Sequence, residues 1–161
     1  MRIHAILRVT TLAAVLTALC LPVPGRAQDK PADNMEIVRE KIRSDKKLLI
    51  AENMQLTETE AKAFWPVYEA YQKELAKQAE RTLALIEDYA AHYESMSDAA
   101  ARQLIDNYVV IQGDRVKLME SYLPKFRKVL PEKKVLRYYQ LENKIKAVVS
   151  YGLAAQIPLV K

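Results

Sequence analysis

The chain has 161 residues, half of them hydrophobic and 28% charged, with three Gly, seven Pro and one Cys. That is room for one domain of ordinary length and argues against two. The charged fraction and the absence of low-complexity tracts exclude wholesale disorder, and sparse glycine disfavours a sandwich of short strands, which leaves an all-α protein.

The first stretch reads as an export signal. Arg2, His4 and Arg8 form a positive head, Val9–Val23 is uncharged and almost wholly apolar, and Gly25 and Ala27 place small residues before Gln28. This is the pattern of a secretory signal peptide, with cleavage expected after Ala27. Residues 28–161 then form a single helical domain, with 152–161 a short tail. The apolar run is shorter than the ~20 residues that cross a bilayer, and no later stretch lacks charge over that length, so no transmembrane segment is expected. A lipid anchor on Cys20 is the alternative, disfavoured because Leu19 occupies the place of a small residue and Pro22 and Pro24 follow. Three of the 25 basic residues lie in the signal, leaving 22 basic against 20 acidic, a net charge of +2. No Cys remains after cleavage, so disulfide, thiolate-metal and Cys-nucleophile chemistry are excluded.

Four helices are predicted. Asp33 and Glu36 suggest a capping box for the first, which carries Val38, Ile42 and the run Leu48–Ile50 and stops near Glu52–Gln55. Thr57 is a good N-cap for the second, with Glu60 at the third helical position and Leu56 placed as a hydrophobic staple against Ala61. Phe64, Tyr68, Tyr71, Leu75, Thr82, Ile86, Tyr89 and Tyr93 then form one stripe of a helix to about His92, roughly 50 Å long and too long for a compact globule. After a turn at Ser95–Ser97, the third helix carries Ala101, Leu104, Tyr108, Ile111, Met119, Tyr122, Phe126 and Val129, with Gly113 costing about 1 kcal/mol relative to Ala. Leu130-Pro131-Glu132 reads as a stop and a fresh start. The fourth helix carries Val135, Tyr138, Leu141, Ile145 and Val148 and is expected to end at Gly152. Pro66 and Pro124 fall inside helices. The stripe stays in phase through Pro66, which favours a bend there, whereas at Pro124 bending and breaking are equally supported.

One repetition stands out. Leu56-Thr57-Glu58 and Leu130-Pro131-Glu132 align at an offset of 74, which places Ala61 on Val135, Phe64 on Tyr138 and Trp65 on Tyr139. Each copy is a Leu, a helix-starting residue, a Glu and two adjacent aromatics about two turns later. With the signal peptide, a cysteine-free helical mature part and one Leu-Thr-x-x-Gln-like helix start per half, the chain resembles the Spy/CpxP group of bacterial periplasmic stress proteins. Glu60 stands where that family has Gln, Pro131 and Lys134 replace Thr and Gln in the second copy, and the Phe64-Trp65-Pro66 and Tyr138-Tyr139 clusters depart from its pattern. The resemblance implies periplasmic location and long helical hairpins dimerising into a curved cradle. It further implies ATP-independent chaperone activity or modulation of envelope stress sensors.

Catalytic chemistry finds little support. His92 is the one mature histidine, with Asp88 one turn away as a surface partner, and Glu-x-x-His pairs, a Gly-x-Ser-x-Gly elbow and phosphate-cradling glycine loops are all missing. No catalytic residue, metal ligand or cofactor is assigned. Lys125, Arg127, Lys128, Lys133, Lys134, Arg137, Lys144 and Lys146 face only Glu132 and Glu142 between 122 and 146, a local +6, whereas residues 28–121 carry 13 basic against 18 acidic. This basic end suits acidic clients, anionic lipid head groups or the acidic half of a second copy, and equally a solvated face. Nucleic acid is set aside, since the exported compartment holds little of it. Tyr68, Tyr71, Tyr89, Tyr108 and Tyr122, amphipathic at the ring edge, are candidates to line a client-holding surface; singly, each fits a seam between helices better.

The expectation is a non-enzymatic binding protein, chaperone-like or stress-modulating, that holds partly unfolded or acidic clients, with a homodimer as candidate assembly. An adaptor docking on one envelope partner through Phe64-Trp65 and Tyr138-Tyr139 is the alternative. A bundle for haem or a small apolar ligand has only the aromatic content behind it.

Overall fold

The computed structural model describes residues 31–160, with side chains from Arg43 onward. The expected signal segment 1–27, its expected cleavage position and the Asp33 and Glu36 side chains lie outside the described residues. The chain is all-α: α1 spans Pro31–Met54, α2 Glu58–His92, α3 Asp98–Val129 and α4 Glu132–Ala154, with a 3-10 turn at Tyr93–Ser95 between α2 and α3. A division falls within α1 at Val38, and the core lies in the unit from Arg39 onward.

The helix starts follow from their caps. Thr57 Oγ1 accepts from the Glu60 amide at 3.3 Å while the Thr57 amide donates to Glu60 Oε2 at 2.8 Å, a complete capping box. Ser97 Oγ accepts from the Ala100 amide at 3.2 Å and starts α3. Pro131 caps α4 without a side-chain bond; its carbonyl accepts from the Lys134 and Val135 amides at 2.8 and 3.0 Å.

Both α2 and α3 continue through their prolines, so neither Pro66 nor Pro124 breaks its helix. α4 likewise runs through Gly152 to Ala154. Its end is set by the Gln156 and Ile157 amides turning back onto the Leu153 carbonyl at 3.0 and 3.2 Å. Pro158 then precludes further helix.

α2 and α3 form an antiparallel pair. Successive rungs run Phe64 with Phe126, Tyr71 with Tyr122, and Arg81 with Asp114, descending along one helix as they climb the other. α1 and α4 join at the end of the pair where α2 starts. Ile50 and Met54 of α1 are fully buried there, whereas Leu48 and Leu49 are exposed. Of the run Leu48–Ile50, only Ile50 therefore turns to the core, followed four residues on by Met54. Tyr138 of α4 is also fully buried, 4.6 Å from the Phe126 ring and 5.3 Å from the Phe64 ring. Edge and tilted ring pairs of this kind contribute about 0.5–1.5 kcal/mol each beyond their burial.

Candidate binding surface

The two copies of the sequence repeat meet each other. Glu60 and Lys134, which occupy the same position in the two copies, form an ion pair, and Phe64 packs edge-on to its counterpart Tyr138. Contact between equivalent positions is what two similar helix starts give when they face across a local two-fold. The Lys134 ammonium and the Thr57 amide hold the Glu60 carboxyl below the usual carboxylate range. Lys134 Nζ also donates to the Gln55 carbonyl at 2.9 Å, fastening the residue whose φ of 49° turns the chain from α1 into α2. Leu130 is buried and Leu56 is packed against the same cluster. Trp65 and Tyr139 are half-buried beside fully buried Phe64 and Tyr138, so the motif residues build the core joint and are not free interface anchors.

Three of the tyrosines named as client-holding candidates instead fill a seam between helices, the reading that fitted each of them better singly. Tyr68, Tyr71 and Tyr122 keep 2%, 4% and 8% of their surface and fill the seam between α2, α3 and α4. The cause is the register: they continue the stripe of Phe64 and Phe126, the side each helix turns to its neighbour. Burial, with the Glu142 carboxylate nearby, pushes the Tyr71 phenol up to about 12, and it raises those of Tyr68, Tyr138 and Tyr139 as well. Tyr108 remains 48% exposed, and Tyr89 is half-buried with its hydroxyl donating to the Pro158 carbonyl at 2.7 Å.

A polar cluster that the sequence reading missed closes this core. Lys46 Nζ donates to Gln72 Oε1 and to Glu142 Oε2, both at 2.8 Å. Gln72 Nε2 donates to Glu142 Oε1 at 2.9 Å and to the Tyr138 hydroxyl at 3.2 Å. Both oxygens of buried Glu142 are thereby satisfied, which is the condition for keeping a carboxylate inside. The cluster ties α1, α2 and α4 together. A hint lay in Glu142, four residues after Tyr138 and hence on its face.

The basic end divides by partner. Lys134 is committed to Glu60, Arg127 pairs with Glu132 at 3.0 Å, and Lys125 sits 3.8 Å over the Tyr122 ring. Lys128, Lys133 and Arg137 are exposed and make no ion pair among the described residues. His92 Nδ1 lies 3.1 Å from the Asp88 carboxylate, the surface pairing expected of them.

What the core leaves outside is apolar. α3 carries a second stripe, Ile105, Val109, Val116 and Met119, spaced by four, seven and three residues and exposed along its length. Met119, expected in the seam, belongs to this stripe, and Leu118 packs against the core in its place. The last turns of α4 add Val148, Val149, Tyr151 and Leu153, all exposed. Far from the aromatic core, between the end of α2 and the start of α3, lies a cavity of about 300 Å³ whose walls include Leu85, Ile86, Tyr89, Leu104, Ile105 and Tyr108.

Among the described residues, no group of three or more His, Cys, Asp or Glu side chains could hold a metal ion, and no helix is long and apolar enough to cross a membrane. No family model matches the chain, and neither the curated proteins nor the solved structures contain a match to it.

Proposed function

We propose that the chain is a non-enzymatic binding protein of the bacterial periplasm, chaperone-like or stress-modulating in the manner of the Spy/CpxP group that its helix-start motifs resemble. It holds partly unfolded proteins on the outer face of its helices. The observation that carries this reading is the second apolar stripe of α3. A helix packed on one neighbour needs one apolar stripe about 100° wide and presents charge elsewhere. Ile105, Val109, Val116 and Met119 lie one residue around from the seam positions Leu104, Ile111, Leu118 and Tyr122, and 40–60% or so of each side chain stays in water, as Ile105 at 55% and Met119 at 42% illustrate.

Capture on such a face is shallow and indifferent to sequence, while Lys128, Lys133 and Arg137 at the other end of α3 and the start of α4 hasten encounter with acidic clients. Phe64 and Tyr138 are buried and Trp65 and Tyr139 half-buried, which supports this reading over an adaptor anchored through those rings. The test mixes the exported chain with an equimolar denatured client at low salt and follows light scattering. Aggregation is expected to fall, and the paired substitution Ile105→Asp and Val109→Asp is expected to abolish most of that effect with helix content intact. Unchanged aggregation with the natural chain overturns the proposal.

A further inference from the structure

The apolar groove at the far end of the α2–α3 pair is already occupied in part by the chain itself. Ile157 and Val160 line it, the Tyr89 hydroxyl donates to the Pro158 carbonyl at 2.7 Å, and Ile157 is half-buried while Leu159, between them, is 89% exposed. The segment after α4 thus sets Ile157 and Val160, three residues apart, against the groove and turns Leu159 outward, the three-residue repeat of a polyproline-type extended segment. Pro158 enforces this form, since it supplies no amide for another helical turn and biases Ile157 away from helical geometry.

The geometry points to a peptide-binding groove for extended aliphatic segments of partly unfolded proteins, with residues 155–160 as its internal ligand, displaced when a client segment enters. Three features fit this assignment. The walls from Leu85, Ile86, Leu104 and Ile105 offer area and no directional demand, so they accept aliphatic side chains of differing shape. The one polar contact is made to a main-chain carbonyl, a group every segment possesses, so it fixes orientation without reading sequence. The Gln156 and Ile157 amides bond only to the end of α4, and beyond them the segment is held to the groove by one hydrogen bond and two side chains, with Val160 itself 55% exposed, which puts this outer part among the parts of a fold that open most readily. Being tethered, it competes at high effective concentration despite weak intrinsic hold. The free groove is therefore a minor state, and a client must displace the segment to use it.

This inference rests on the proposed client-holding function and adds the site and its regulation. Its test uses a labelled peptide with the sequence of residues 155–160 and the full chain carrying both Ile157→Asp and Val160→Asp, with Leu159→Asp, the same charge placed on the outward-facing residue, as control. If the segment fills the groove nine-tenths of the time, its ejection raises peptide affinity about tenfold. The double variant is expected to show that gain, the control to match the natural chain, and Tyr89→Phe added to the double variant to lose several-fold of it. Equal affinity in the double variant and the natural chain overturns the internal ligand, as does an affinity gain in the Leu159→Asp control. A natural chain whose segments are exchanged between two copies, seen as a dimer that the double variant dissolves, also overturns it. Client aggregation is followed on the same samples. Suppression without the affinity gain removes this inference and leaves the proposed function; the gain without suppression overturns the proposed function and, with it, the client role of the groove, leaving a site for aliphatic peptides alone.

Discussion

Tyr68 and Tyr138 bring the same ring into the same core and differ in what meets the hydroxyl. The Tyr138 oxygen accepts from Gln72 at 3.2 Å and so joins the Lys46–Glu142 cluster, whereas the buried Tyr68 oxygen has no hydrogen-bond partner among the described residues. Removing a satisfied buried hydroxyl costs about 1 kcal/mol, while removing an unsatisfied one returns part of its desolvation penalty. Tyr138→Phe is therefore expected to lower stability by about 1 kcal/mol, and Tyr68→Phe to leave it unchanged or raise it by up to about 1 kcal/mol. Urea midpoints of the two variants check the contrast; a larger loss for Tyr68→Phe would show that its hydroxyl is bonded after all. Both tyrosines were legible as members of a stripe. Which face of the stripe met protein was not, because period alone marks an apolar side without saying what covers it.

At the scale of single helices, α3 carries a removable weakness. Gly113 lies in the interior of a 32-residue helix, exposed, and a Cβ built on it meets nothing within 4 Å. Glycine there costs about 1 kcal/mol relative to alanine, partly through the freedom it returns to the unfolded chain. Gly113→Ala should raise stability by about that amount at unchanged denaturant slope, whereas Gly152→Ala, in the last turn of α4, should do less because helix ends fray. The helix start at Thr57 was readable to the residue, since a cap is a local hydrogen bond written in local sequence. On α4 the expected Val135 and Tyr138 are buried, and the reading departs from the structure only one turn further on. The run Val135, Tyr138, Leu141 and Ile145 is apolar throughout, yet Glu142 takes the buried place and Leu141 only borders it, because Lys46 and Gln72 arrive from other helices to satisfy the carboxylate. That compensation is tertiary, and no window along α4 contains it. The two stripes of α3 show the same limit: both registers are visible in the sequence, and only the position of α2 decides that Leu118 is covered and Met119 is not.

For the molecule as a whole, concentrating phenols in one core makes alkali its expected point of failure. Tyr68, Tyr71, Tyr138 and Tyr139 all hold their protons above the ordinary value of 10.0, chiefly through burial and secondarily through nearby charges that include Glu142; for Tyr71 the shift reaches about 12, with Arg115 pulling the other way. Below pH 10 folded and unfolded chains both keep these protons, and the full stability is present. Above it the unfolded chain releases protons that the folded core retains, so unfolding becomes more favourable with each step in pH up to about 12 for Tyr71 and further for the others. The acid side has the opposite sign and smaller weight. Glu60 and Asp114 are held below their ordinary values of 4.5 and 3.8 by Lys134 and Arg81, so their support is present above those values and fades as pH falls through them. Both are surface pairs, whose contribution is modest. A plateau from about pH 5 to 10 bounded by a steep alkaline edge is therefore expected. Because the four phenols sit around one cluster, each that ionises makes the next harder to ionise. Tyrosinate absorbance for these residues and loss of helical circular dichroism should rise in a single step above pH 10. Ionisation of the same four, identified by Tyr→Phe substitution, in a chain that keeps its helices would show that water reaches the core and that the seam between α2, α3 and α4 is open.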